Sequence, residues 1–248
     1  MDEALELSSF MPVSYGTQSE GEYIAFLWDA FRSNYEGGKF EFASLAFHLL
    51  YMSYVGFSIW QIRLVREQDF RRALIGFQSE SEMKLLSAVN PFLFYEQLKE
   101  SQIFRFLKLI GCANEQVGEF SKFVKRRNKI AHPSGTVFFN DRAAIDAEIV
   151  DMMREVRNIE SHMKPVISDM YGRFLLDSAE QEELQYDTLD QEIEVNLIHR
   201  DYVSLKDIEI CLEYDISVHA AHQKFELIGT LHHSLSERFG ADIADVAA

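Results

Sequence analysis

Nine apolar side chains, Ile145, Ile149, Met152, Val156, Ile159, Met163, Ile167, Tyr171 and Phe174, recur at steps of three or four residues. That period is the α-helical one, and it keeps the whole set on a single face of one long helix. Asn140 or Asp141 is placed to cap its start, and Pro165 predicts a bend within it. A helix this long buries such a stripe only against other helices. The chain up to about Leu176 is therefore expected to be an antiparallel helical bundle.

The preceding segments fit that expectation. The first 17 residues read as irregular, a helix is expected from about Glu20 to Asn34, and Gly37 and Gly38 end it. A long helical region follows from about Phe40 to Leu74. Ser79 and Glu82 have capping-box spacing and would open a short helix to about Val89. Asn90 and Pro91 read as a cap followed by a first-turn proline. The apolar stretch Ile103 to Ile110 runs up to Gly111. Asn114 is placed to cap a further helix through Val117, Phe120, Val124 and Ile130, and Pro133 stops it directly after His132, since a residue before proline is pushed out of the α region. Phe42 to Trp60 is long and apolar, but His48 and three serines interrupt it and Glu41 and Arg63 bound it. A central helix covered by its neighbours is expected there, and no membrane span.

With 248 residues, 47% of them hydrophobic, the chain can bury a large core. Its net charge of −16 is unevenly placed: residues 1–176 hold 20 basic and 23 acidic side chains, and residues 177–248 hold four and 17. Between Asp177 and Glu194 there are eight acidic residues and no basic one, which suggests a boundary. The expected domains are a bundle over 1–176, an acidic linker over 177–191 and a small appendage over 192–248. Alternation in Glu192–Ile198 and Asp207–Tyr214 predicts two strands, with Ile193, Val195 and Leu197 facing Ile208, Ile210, Leu212 and Tyr214 in one buried face. A final helix over about 217–239, carrying Val218, Ala221, Phe225, Ile228, Leu235 and Phe239 on one side, would cover them. The expected fold class is thus mainly α, a helical bundle with a C-terminal β-β-α appendage. Cys112 and Cys211 are the only cysteines, and with no charged-then-apolar leader a reducing cytoplasm is expected.

Five of the 24 lysines and arginines fall within eight positions: Lys122, Lys125, Arg126, Arg127 and Lys129. A near-neutral domain with a local basic cluster can hold an anion such as RNA, whatever the total charge. At the end of that helix the carbonyl dipoles favour a protonated imidazole at His132, and a histidine titrating near neutral pH moves protons in either direction. Asn128 lies one turn earlier on the same face. The chemistry these residue types suggest is phosphodiester cleavage, with Arg127 and its basic neighbours holding a phosphate, Asn128 orienting the ring and His132 transferring protons.

The spacing Arg127-Asn128-x3-His132, followed by proline, resembles the signature of the HEPN family, all-α dimeric proteins of which many are metal-independent endoribonucleases. The resemblance implies a composite site at a two-fold interface, built from Arg127, Asn128 and His132 of both subunits, with the RNA 2′-hydroxyl as nucleophile. It implies 2′,3′-cyclic phosphate and 5′-hydroxyl products, no cofactor or metal, a toxin or antiviral role, and an antitoxin or other regulatory partner. One subset of the family has tyrosine two residues after the histidine, modified by a partner nucleotidyltransferase, where this chain has Ser134. The rival reading is a non-catalytic dimeric module that binds nucleic acid or protein, and the plainest is a solvated helix end where cations are favourable anyway.

Other constellations weigh less. Arg157-Asn158-x3-His162 repeats the motif but lacks basic neighbours, carries Glu160 inside it and falls mid-helix. His219, His222, Glu226 and His233 share an arc of the expected last helix, yet His233 lies 14 residues beyond His219, about 21 Å along a helix. That arc reads as solvated surface. His48 reads as a core histidine with a partner, and His199 as part of the strand connection. No Walker loop, dinucleotide fingerprint, Cys-x2-Cys pair or Gly-x-Ser-x-Gly elbow occurs.

Overall fold

A computed structural model describes residues 1–132, 135–139, 141–181 and 184–246, without the side chains of 244–246. Among the described residues the chain is mainly α and contains no strand; the one β-type pairing is an isolated antiparallel bridge between Pro12 and Ser204. The helices are α1 (Asp2–Glu6), α2 (Gln18–Glu36), α3 (Phe40–Val65), α4 (Glu67–Ala73), α5 (Ser79–Leu86), α6 (Phe94–Gln97), α7 (Glu100–Ile103), α8 (Asn114–Ala131), α9 (Arg142–Glu180), α10 (Leu189–Ile193), α11 (Leu205–Leu212) and α12 (Phe225–Val246). They fall into two units, one of Met1–Ser8 with Thr17–Met163, the other of Ser9–Gly16 with Lys164–Ala248. The division lies inside α9, at Met163, where the charge pattern had suggested 176. Of the stretch read as a linker, 177–180 close α9 and 189–191 open α10.

In the first unit, α2 begins at Thr17, whose Oγ1 accepts from the Glu20 amide at 3.3 Å, and ends at Gly37 and Gly38, the latter at φ +70°. It packs on α3 through Phe31 and Phe47, ring centroids 5.2 Å apart. α3 is buried along most of its length and is the unit's central helix. By length and composition it can cross a membrane, yet 83% of its most apolar window is buried inside the protein. Tyr51 on α3 carries the core towards α8, its ring 5.7 Å from Phe123 and 6.2 Å from Phe104. The N-terminal segment is not irregular: α1 and a 3-10 turn, Leu7–Phe10, occupy it.

Local signals decided several helix starts. Asn90 caps as expected, its Oδ1 accepting from the Leu93 amide at 3.3 Å, with Pro91 in the first turn. The Ser79–Glu82 box does not form; Gln78 precedes α5 without a side-chain cap. Asn114 does not cap α8 either: it is the first helical residue, and the N-cap position is Ala113, whose amide donates to Gln116 Oε1 at 2.7 Å. Asp141 starts α9, accepting from the Ala144 amide at 3.0 Å, whereas Asn140 lies outside the described residues. All nine periodic residues of α9 are buried, and Pro165 lies inside the helix without ending it.

The second unit corrects the β-β-α expectation. Glu192–Ile198 is the end of α10 and a π-helical turn, Glu194–His199, and Asp207–Tyr214 falls in and just beyond α11. Alternation over so few residues does not separate the periods; burial does. Ser204, Asp207, Ile208 and Cys211 are buried, the i, i+3, i+4, i+7 set of a helix. Ser204 and Asp207 form a capping box, Asp207 N to Ser204 Oγ at 3.1 Å and Ser204 N to Asp207 Oδ2 at 2.8 Å. The preceding helix closes on Tyr202, at φ +52°, with the Val203 amide bonded to Ile198 O at 3.2 Å, a Schellman-type end on a non-glycine residue. The last helix starts at Phe225, not near 217, and buries Ile228, Leu231, Leu235 and Phe239, while Val218 is 65% exposed. Glu192 is wholly buried and accepts from Ser178 Oγ at 3.0 Å and Asn196 Nδ2 at 2.8 Å, so part of the acidic stretch is structural.

Candidate functional site

α8 buries Phe120, Phe123 and Val124 and turns its basic residues away from them. Lys122, Lys125 and Lys129 are exposed, and Arg126, Arg127 and Asn128 are half-buried. The helix ends at Ala131. His132 follows in extended conformation, φ −94° and ψ 143°, exposed, its amide donating to Asn128 O at 3.1 Å. Pro133 and Ser134 lie outside the described residues. No hydrogen bond among the described residues joins the Asn128 amide to the His132 ring, so the expected orienting contact is not made within one chain.

Arg127 and Asn128 line a cleft of about 520 Å³ together with Tyr95, Lys99, Glu100 and Val124. His132 is not among the residues lining it.

The guanidinium of Arg127 is held from behind. Its Nη2 donates to Glu100 Oε1, and Glu100 Oε2 is 2.9 Å from His48 Nε2. Nε of Arg127 and Nδ1 of the fully buried His48 have no protein partner. Burial alone would raise the Glu100 carboxyl, but hydrogen bonds from His48 and Arg127 outweigh it and bring it down to about 2. Glu100 is therefore an anion at neutral pH. Arg126 makes a parallel contact, its Nη1 3.5 Å from Oε1 of Glu148, which is buried and accepts from Ser44 Oγ at 3.0 Å. Lys122 Nζ pairs with Glu119 at 2.6 Å, and no ion pair among the described residues engages Lys125 or Lys129.

The residues that sequence reasoning missed are thus Glu100, His48 in its role as Glu100's partner, and Tyr95. No spacing marks them. The single usable signal was His48 itself, since a histidine in an apolar run requires a polar partner.

The second motif copy is accounted for structurally. Arg157 ties down α1 through Glu3, at 2.7 Å, and Glu6. Asn158 donates to Glu155 at 2.8 Å, and His162 sits 3.2 Å from both Ile110 O and Gln116 Nε2. Three further histidines are engaged: His199 with Ser14 and Glu194 at 2.7 Å, His219 with the Tyr214 hydroxyl at 2.8 Å, and His232 with that of Tyr171 at 2.9 Å. Among the described residues no three His, Cys, Asp or Glu side chains are grouped to hold a metal ion. No family model matches the chain, and neither a curated protein nor a solved structure shows significant similarity to it.

Proposed function

We propose that this protein is a metal-independent endoribonuclease of the HEPN type, acting in the cytoplasm as a toxin or antiviral effector under the control of an antitoxin or similar partner. The observation that carries the reading is the placement of Arg127 and Asn128 in one cleft, with His132 exposed at the end of the same helix and Lys125 and Lys129 beside it. Glu100 engages Nη2 of Arg127 and Nε is buried, which leaves Nη1 as the donor for a phosphate.

In the proposed reaction the RNA 2′-hydroxyl attacks the adjacent phosphorus, the P–O2′ bond forms and the P–O5′ bond breaks. One imidazole accepts the 2′-hydroxyl proton and another gives a proton to O5′, leaving 2′,3′-cyclic phosphate and 5′-hydroxyl ends. Arg127 offsets charge on the non-bridging oxygens. His132 does not line the cleft that holds Arg127 and Asn128, which favours a homodimeric site in which each copy supplies its histidine to the other.

The test is cleavage of single-stranded and structured RNA in EDTA by wild type and His132→Ala in parallel, with the product ends identified. Cleavage by wild type alone, leaving cyclic phosphate, supports the assignment. Equal cleavage by both removes His132 from it. A second reading, a non-catalytic dimeric module binding nucleic acid or an acidic protein, is favoured by the carboxylates already held by Lys122, Arg126 and Arg127. It expects salt-dependent binding without cleavage.

A further inference from the structure

The cleft at Arg127 and Asn128 is bounded by Tyr95 and Glu100, and the same two residues line a second cavity of about 540 Å³. The chemistry changes across that wall. On the second side Leu49 and Met52 supply apolar surface, and Tyr23 and Phe92 meet edge to face with centroids 5.5 Å apart. Tyr23 and Leu49 are each 39% exposed, so these surfaces are open to an occupant. The charged side chains lining this cavity are two carboxylates, Glu20 and Glu100, and no cation.

We infer that this cavity is a nucleobase subsite, taking the base of the nucleotide whose phosphate lies against Arg127; the inference rests on the RNA-cleaving reading of that cleft. Carboxylates without a cation exclude phosphate, while aromatic rings over apolar surface suit a planar base. The volume lies within the roughly 300–1,000 Å³ of small-molecule sites. Both Glu100 oxygens are committed, to Arg127 and to His48, and the Tyr95 hydroxyl donates to the Met52 carbonyl, so the exposed aromatic surface and not the carboxylates sets the preference. Stacking on Tyr23 favours the larger purine rings, and uracil gains least from it.

The experiment uses the full chain carrying His132→Ala, so that cleavage does not disturb binding, titrated at fixed salt with short oligoadenylate, oligocytidylate and oligouridylate; wild-type cleavage is followed separately. The expected result is binding of oligoadenylate about tenfold tighter than oligouridylate, with oligocytidylate between them. Adding Tyr23→Ala should abolish that preference, and Tyr23→Phe, which keeps the ring, should retain it. Equal affinities for all three oligomers, or a preference untouched by Tyr23→Ala, overturn the subsite. Discrimination in a protein whose wild type cleaves no RNA keeps the subsite and removes the nuclease, whereas cleavage without discrimination does the reverse.

Discussion

Arg127 and Glu100 are joined by an ion pair across 27 residues of sequence, and Glu100 is in turn bonded to the fully buried His48. The folded carboxyl, at about 2, lies below its ordinary 4.5. The unfolded chain therefore binds the proton more readily, and the pair's stabilisation is complete above 4.5 and is lost as pH falls through the window down to about 2. Glu100→Gln should cost on the order of 1–3 kcal/mol at neutral pH and flatten the acid limb of the stability curve. Denaturant melts of both proteins at pH 3 and pH 6 measure this; parallel losses in the two would count against it.

Glu148 should show the opposite slope. Burial raises its carboxyl more than Ser44 and Arg126 lower it, so the folded state holds the proton more tightly and ionisation destabilises as pH rises. Glu148→Gln keeps an acceptor for Ser44 and should raise Tm at pH 7 but not at pH 4. A lower Tm at pH 7 would show that the Arg126 contact outweighs the desolvation.

His132→Ala should change stability by no more than about 0.5 kcal/mol, because the side chain is exposed. RNA cleavage should fall by at least about 100-fold. Calorimetry and a time course on the same preparation separate a lost site from a lost fold.

The two motif copies should diverge. Arg157→Ala removes the tether to Glu3 and Glu6, surface pairs worth about 1 kcal/mol or less together. Faster amide exchange over residues 2–6 with unchanged cleavage is expected; loss of cleavage would return the second copy to the candidate site.

Ser204→Ala should cost about 1–2 kcal/mol, because the cap is buried and the Asp207 amide loses the hydroxyl that accepts from it. Loss of helical circular dichroism together with a lowered Tm would identify α11 as the element affected.

The long helix was legible because nine periodic residues over-determine one period, and all of them are buried. The second unit was misread over windows of seven and eight residues, where alternation competes with a helical stripe, yet Ser204-x-x-Asp207 carried the deciding signal. Thr188 gave another, its Oγ1 accepting from the Gln191 amide at 3.2 Å. Lys122, Lys125, Arg126, Arg127, Asn128, Lys129 and His132 could be picked out as a group because charge density is a local property. Their counter-charges could not, since Glu100 reaches Arg127, and Glu148 reaches Arg126, only after chain segments distant in sequence have packed.

Gly56 sits in the middle of α3, and a Cβ there would meet the ring of Tyr95 at 3.2 Å. Its missing side chain is what lets the phenol approach the helix so closely, where it lines both chambers. The width of both is thus gauged by one absent methyl group: Gly56→Ala would act as a wedge, shifting the ring outward without altering a single charge.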